Sequence, residues 1–114
     1  MSHGKVVLVT GGRDYQNRQR VYEELSKHEI AVLIHGTADG ADSLAADWAW
    51  EHGVHAAAVQ PMWGRYAKAA GHLRNVAMAA LRPDILIAFP GGKGTESMIR
   101  IAHDQGIFVM RVEE

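Results

Sequence analysis

The chain of 114 residues contains no cysteine. Disulfides, thiolate nucleophiles and cysteine-ligated zinc are therefore excluded. No apolar run approaches the length needed to span a bilayer. The opening residues, Met1-Ser2-His3-Gly4-Lys5, lack the apolar stretch that directs secretion. A soluble cytoplasmic protein, with no membrane association, is the expectation. An excess of one charge is also missing, since 12 Lys and Arg face 13 Asp and Glu, for a formal net charge of -1. Broad, sequence-independent DNA binding draws on many more cations per contact face, so a nucleic-acid partner is not expected. A local basic pocket remains compatible with that balance. Repeats, linkers and low-complexity segments are absent. The 7 histidines form no metal motif. His52 and His55 straddle a helix-to-strand break, so their close spacing does not put them on one helical face. The residues call for neither a metal nor a cofactor.

What is present is enough apolar material for one domain spanning residues 1–114, at 47% hydrophobic. Lys5-Val6-Val7-Leu8-Val9-Thr10 is continuously apolar rather than alternating, which predicts a strand buried on both faces. A helix is expected over 17–28, with Val21, Tyr22 and Leu25 inward. Ala31 to His35 reads as a second buried strand. Asp42 reads as the N-cap of the next helix, whose buried stripe would be Leu44, Ala45, Trp48 and Ala49. Trp50 would point away from Trp48 by about 200° and so lie outside the core, against a loop or another subunit. His55 to Val59 is a weaker strand because alanine favours helix. Residues 60–70 form the longest irregular stretch. A helix over 71–81, packed by Leu73, Val76, Ala77 and Ala80, ends before Pro83. Ile85 to Ala88 is the fourth strand, 95–105 the last helix with Gly106 as its stop, and Ile107 to Met110 the closing strand.

Strands alternate with helices through short connections. The pattern implies an α/β fold: a single Rossmann-like domain of about five mostly parallel strands with helices on both faces. Each glycine-bearing loop follows a strand and precedes a helix. In such a sheet these loops gather at the C-terminal strand edge, where ligands bind.

The sharpest signal is Pro90-Gly91-Gly92-Lys93-Gly94-Thr95. Glycines let backbone N–H groups approach an oxyanion, and a helix N-terminus adds unpaired donors and partial positive charge. The spacing is not that of a nucleoside-triphosphate P-loop, because Gly94 follows Lys93 where Ser or Thr is required. It is not the dinucleotide Gly-x-Gly-x-x-Gly fingerprint either. A plain tight turn is the competing reading; a phosphate-binding loop is preferred. Arg74 opens a helix at the same sheet edge and can grip a phosphate or carboxylate bidentately, or be an ordinary surface arginine. Asp14, Asp39 and Asp42 lie in or beside glycine loops, as caps or as acceptors from ribose hydroxyls. Trp63 and Tyr66 either stack on a ligand ring or anchor their loop.

Four motifs occur in order: Gly11-Gly12-Arg13-Asp14; Gly36-Thr37-Ala38-Asp39-Gly40-Ala41-Asp42-Ser43-Leu44-Ala45; Gly71-x-x-Arg74-Asn75-x-x-Met78; and Pro90 to Thr95. In this order they resemble the SLOG superfamily, which includes the Lonely Guy phosphoribohydrolases and the DprA/Smf proteins. The small YspA/YpsA-related branch is the nearest likeness. The resemblance implies a Rossmann-like fold that binds nucleotides or nucleotide-derived ligands, and a dimer or larger homo-oligomer. It carries the arginine of an Arg-x-x-x-Met motif to Arg74 and Met78, and phosphate contacts to the glycines and Thr95. The glutamate of the Lonely Guy Pro-Gly-Gly-x-Gly-Thr-x-x-Glu motif falls at Met98, whose thioether cannot handle a proton.

The leading expectation is a module that binds a nucleotide-derived small molecule, as sensor or carrier. Arg74, Asn75 and the backbone of residues 90–95 would hold phosphate. Residues 11–14 and 36–40, with Asp42, would line the nucleoside. One rival is a nucleotide N-glycosidase of phosphoribohydrolase type, with Arg74 and a relocated acid such as Glu96, Asp14 or Asp39. Another is a DprA-like role on nucleic acid.

Overall fold

The computed structural model describes residues 4–114. Five strands form one sheet: β1 (Lys5–Thr10), β2 (Ile30–His35), β3 (His55–Ala58), β4 (Ile85–Ala88) and β5 (Phe108–Arg111). All pair in parallel, in the order β3-β2-β1-β4-β5. The chain moves outward from β1 through β2 to β3, then returns to the other side of β1. Val7 sits level with Leu33 on one side and Ile85 on the other. The order reverses between β1 and β4, and the loops leaving those two strands bound a crevice there.

The helices are α1 (Arg18–Ser26), α2 (Ala41–Glu51), the single turn α3 (Trp63–Tyr66), α4 (Ala70–Ala80) and α5 (Lys93–Asp104), with a 3₁₀ turn over Ala67–Ala69. Alternate strand residues serve opposite faces. Val7, Val9, Leu33, Ile85 and Ile87 meet Val21, Leu25, Ala45 and Trp48 from α1 and α2. Leu8, Ile34 and Leu86 meet Met78, Ala79, Met98 and Ala102 from α4 and α5. Two cores therefore clamp the sheet, which explains why β1, β2 and β4 read as unbroken apolar runs. No helix among the described residues is long and apolar enough to cross a membrane.

Local rules set several boundaries. Asn17 caps α1, its side-chain oxygen accepting from the Arg20 N–H at 3.1 Å. Trp48 is buried with its indole N–H on Ser26 Oγ, whereas Trp50 is 88% exposed. The cap of α2 is Gly40, not Asp42. Asp42 lies inside the first turn, buried, because the chain enters the helix through the positive-φ conformation at Gly40.

The face of α4 also differs from its sequence pattern. Its buried residues are Ala70, Asn75, Met78 and Ala79. Leu73, Val76, Ala77 and Ala80, expected to pack, are exposed. Turning Asn75 and Met78 onto the sheet puts the apolar stripe about half a turn away, on the outward face. Finally, α5 begins at Lys93, two residues before the expected start at Thr95.

Candidate functional site

The crevice is built by backbone bonds between three loops. Gly12 is the hub. Its N–H donates to the Pro90 carbonyl at 2.9 Å, and its carbonyl accepts from the N–H groups of Tyr15 and Ala41. The loops after β1, β2 and β4 are thereby tied together. Two glycines are demanded by this closeness. A Cβ on Gly40, at φ +75°, would lie 2.1 Å from the Gly12 carbonyl oxygen. A Cβ on Gly91 would lie 2.1 Å from Thr95 Oγ1.

Between the loops lies a cavity of two lobes that share Arg13, Ala38 and Arg74. The inner lobe, about 240 Å³, is bounded by Thr10, Gly11, Gly12, Asp42, Asn75, Met78, Gly92, Gly94 and Thr95. The outer lobe, about 280 Å³, is bounded by Gly36, Thr37, Asp39, Gln60, Pro61 and Trp63. Together they approach the scale of small-ligand sites.

Opening onto the inner lobe is the start of α5. Its first backbone bond runs from the Glu96 N–H to the Gly92 carbonyl at 3.0 Å. The N–H groups of Lys93, Gly94 and Thr95 precede that bond, and no side chain caps the helix. Gly92, Lys93 and Gly94 are exposed. A Cβ placed on Gly92 or Gly94 would meet nothing within 4 Å. The turn is thus open toward the cavity, and its donors are free of side-chain caps.

Arg74 stands between the lobes. Its Nη1 donates to the Gly36 carbonyl and its Nε to Asn75 Oδ1 at 3.0 Å. The guanidinium occupies the space that a side chain at position 36 would need, which accounts for Gly36. Burial lowers the Arg74 pKa and the nearby Asp42 charge opposes that, so the group remains a cation.

Asp42 is the site's buried acid. Its Oδ2 accepts from the Gly36 N–H at 2.8 Å and the Ala38 N–H at 3.5 Å. Burial pushes the carboxyl up to about 6, against the opposing pull of those amides and of Arg74 and Arg13. Between the two amides stands Thr37, a β-branched residue at φ +64°. Such a conformation costs on the order of 1–2 kcal/mol and is found where the surroundings enforce it. Thr37 donates its N–H to His35 Nδ1 at 3.2 Å, and burial lowers the His35 pKa, favouring the neutral ring that can accept.

Of the residues singled out from sequence, Gly11, Gly12, Arg13, Gly36, Thr37, Asp39, Asp42, Arg74, Asn75, Gly92, Gly94 and Thr95 converge on the two lobes. Six do not line them. Gly40 and Pro90 act behind the surface as loop fasteners. Asp14 is an exposed turn residue. Gly91 and Lys93 border a recess on the outside of the turn, which shares Gly92 with the inner lobe. Glu96 faces that outer side and pairs with Arg111 at 2.7 Å, with both side chains half exposed. It is therefore removed from Arg74, as its 200° offset from position 98 requires. Met98 is fully buried in the α4–α5 core.

Gln60, Pro61 and Trp63 complete the outer lobe. Of these only Trp63 carried a sequence signal, an aromatic in a long loop. The burial of Asp42 had none, because its acid type and glycine neighbours match an ordinary cap.

A family profile described as YAcAr: YspA, cpYpsA-related SLOG family matches residues 5–66. The Gene 61 protein of Mycobacterium phage D29 is 36% identical over 116 residues, an alignment covering 91% of this chain and 93% of that one.

Proposed function

This chain belongs to the YspA/cpYpsA-related SLOG family, and from that premise we propose that it binds a nucleotide-derived ligand across the two lobes. The ligand's phosphate sits on the N–H groups that open α5 and on Arg74. The sugar and base extend past Thr37 and Asp39 toward Gln60 and Trp63. One observation carries the reading: Gly92 and Gly94 are glycines at positions where the protein itself leaves room for a side chain. Their bareness serves nothing within the fold, but it lets an oxyanion reach the backbone. The family's nucleotide-related role and the arginine beside the turn support the same reading.

The test is thermal protection by AMP, ADP-ribose and NAD at rising concentration. A ligand at 100 times its Kd stabilises the fold by about 2.7 kcal/mol, so the melting temperature should climb with concentration. Arg74→Ala should abolish the climb, and Arg74→Lys should weaken it, since an ammonium cannot reproduce the planar fork. No shift at millimolar levels of any of the three defeats the proposal.

A second reading, an N-glycosidase acting on nucleoside monophosphates, is favoured by one observation. Asp42 is an acid held near pKa 6 on the wall of the inner lobe, and acid catalysts work best with a pKa near the operating pH. Both amide bonds use Oδ2, so a proton on Oδ1 leaves them in place. That proton would pass to the departing base as the C–N bond breaks, water would add to the sugar carbon, and the proton the water loses would return to the Asp42 carboxylate. Chromatography of AMP incubated with the protein decides it: adenine release that Asp42→Asn eliminates supports turnover, and no release leaves a binding module.

A further inference from the structure

Arg13 and Arg74 come from different elements, yet each borders both lobes of the cavity. They feel each other: the charge of Arg13 helps to lower the Arg74 pKa. Two guanidinium groups held within range repel unless an anion lies between or beside them. Their commitments differ. Arg74 is half-buried, with Nη1 on the Gly36 carbonyl and Nε on Asn75 Oδ1. Arg13 is exposed, and among the described residues its guanidinium donates to no protein atom and joins no salt bridge. Its backbone is nonetheless fixed. The Gly12 N–H before it is bonded to Pro90, and its own carbonyl lies so near Gly40 that a Cβ there would come within 2.6 Å. An uncommitted five-donor fork is thus carried to the junction of the lobes on a rigid base.

The bare amides of α5 are elsewhere. Gly92, Gly94 and Thr95 border the inner lobe and not the outer one. The cavity therefore offers two anion seats in succession: backbone amides inside, and a free guanidinium fork where the lobes join. We propose that the ligand, on the nucleotide-binding reading above, carries a diphosphate, with one phosphoryl group on the α5 amides, the other on Arg13, and Arg74 between them.

The number two follows from the remaining charges. A monophosphate fills one seat and leaves the Arg13 fork empty. Among the described residues neither lobe is bordered by a third cation, and the other charged groups in their walls are the carboxyls of Asp42 and Asp39. A third phosphoryl group would add negative charge beside Asp42 with nothing to offset it. Asp39, in the outer lobe, is an acceptor suited to sugar hydroxyls and opposed to phosphate.

The experiment is calorimetric titration of the full chain, with EDTA present, by AMP, ADP, ATP and ADP-ribose and by inorganic phosphate and pyrophosphate. ADP should bind on the order of 10-fold or more tighter than AMP, and pyrophosphate tighter than phosphate by a similar factor. ATP should bind no tighter than ADP. ADP-ribose distinguishes a bridged diphosphate from a terminal one, and an advantage over AMP for either compound supports the proposal. Arg13→Gln should weaken ADP about 10-fold and AMP by less, bringing the two together, and Arg13→Lys should recover part of the loss because it keeps the charge without the fork. If Arg13 only offset the charge of Asp42, AMP and ADP would weaken alike, and that result overturns the proposal. So does AMP binding as tightly as both ADP and ADP-ribose, which leaves the nucleotide reading standing, and so does ATP binding tighter than ADP. Pyrophosphate bound while no nucleotide binds supports the paired seats and removes the nucleotide. No binding by any of the six compounds removes both.

Discussion

Two glycine turns lead from strand into helix at the same sheet edge, and they hold their glycines for different reasons. In the turn into α2, the glycines are required by the protein itself. Gly36 makes room for Arg74, and Gly40 takes a conformation barred to side chains against the Gly12 carbonyl. The first amide of that helix, on Ala41, is already bonded to Gly12. In the turn into α5, Gly92 and Gly94 touch nothing, and the leading amides precede the first helical bond. The α2 turn is a fastener at both glycines, whereas the α5 turn is fastened at Gly91 and open at Gly92 and Gly94. Sequence alone makes them look alike, since each is a short glycine-rich loop between an apolar run and a helix.

The sharpest way to break this comparison is Gly40→Ala. A β-carbon there meets a carbonyl oxygen at 2.1 Å in a positive-φ backbone. Adding the conformational penalty to the clash, the loss should be about 3 kcal/mol or more. Urea unfolding reads it directly. A loss under about 1 kcal/mol would mean that the α2 turn is as roomy as the α5 turn, and the distinction would fall.

The fold was legible because burial on both faces leaves unbroken apolar runs, and glycine marks each place where such a run turns into a helix. Strands β1, β2 and β4 announce themselves in this way. α4 did not, for a physical reason. In an alanine-rich helix two stripes are apolar enough to bury, and periodicity cannot choose between Leu73-Val76-Ala77-Ala80 and Ala70-Asn75-Met78-Ala79. The choice is made by Asn75 and Arg74, which must face the crevice. That Arg74 and the α5 turn meet at one lobe could be read from sequence, because each lies where a helix begins at the C-terminal edge of a parallel sheet. The burial of Asp42 could not, since an acid two residues past a glycine is an ordinary helix start until its surroundings are known. Gln60 and Pro61 were invisible because they reach the cavity only through the path of a long loop.

Asp42 gives the next largest effect and shows what the α2 turn costs. Its carboxyl is lifted from 3.8 to about 6, so between those values the native protein holds a proton that the unfolded chain has released. Stability from this group is therefore full below about pH 4, falls as the pH rises, and is lowest above pH 6. The difference is roughly 3 kcal/mol at most. Asp42→Asn removes the titration. At pH 7.5 it should be stabilising by about 1–3 kcal/mol, with the gain shrinking toward pH 4.5, as read from urea midpoints at the two values. Protection by a phosphate-bearing ligand should strengthen in the same variant at pH 7.5, because a carboxylate that interacts with Arg74 and repels an anion there is removed. A gain that does not vary with pH would show that burial does not hold the carboxyl up.

The smallest change to the fold should come from Gly94→Ala, and it tests the open part of the α5 turn most directly. Position 94 lies in the first turn of α5, exposed, with no neighbour within 4 Å of the new methyl. Helix propensity then favours alanine, so stability should rise by about 0.5–1 kcal/mol. A fastener could not behave in this way. If the space is kept for an oxyanion, the same methyl projects where phosphate oxygens must approach, and protection by AMP or ADP-ribose should be lost although the protein is sturdier. Opposite signs for stability and binding from one methyl group separate a ligand cradle from a mere bend. Gains in both, or losses in both, would put the glycine back among the residues the fold needs for itself.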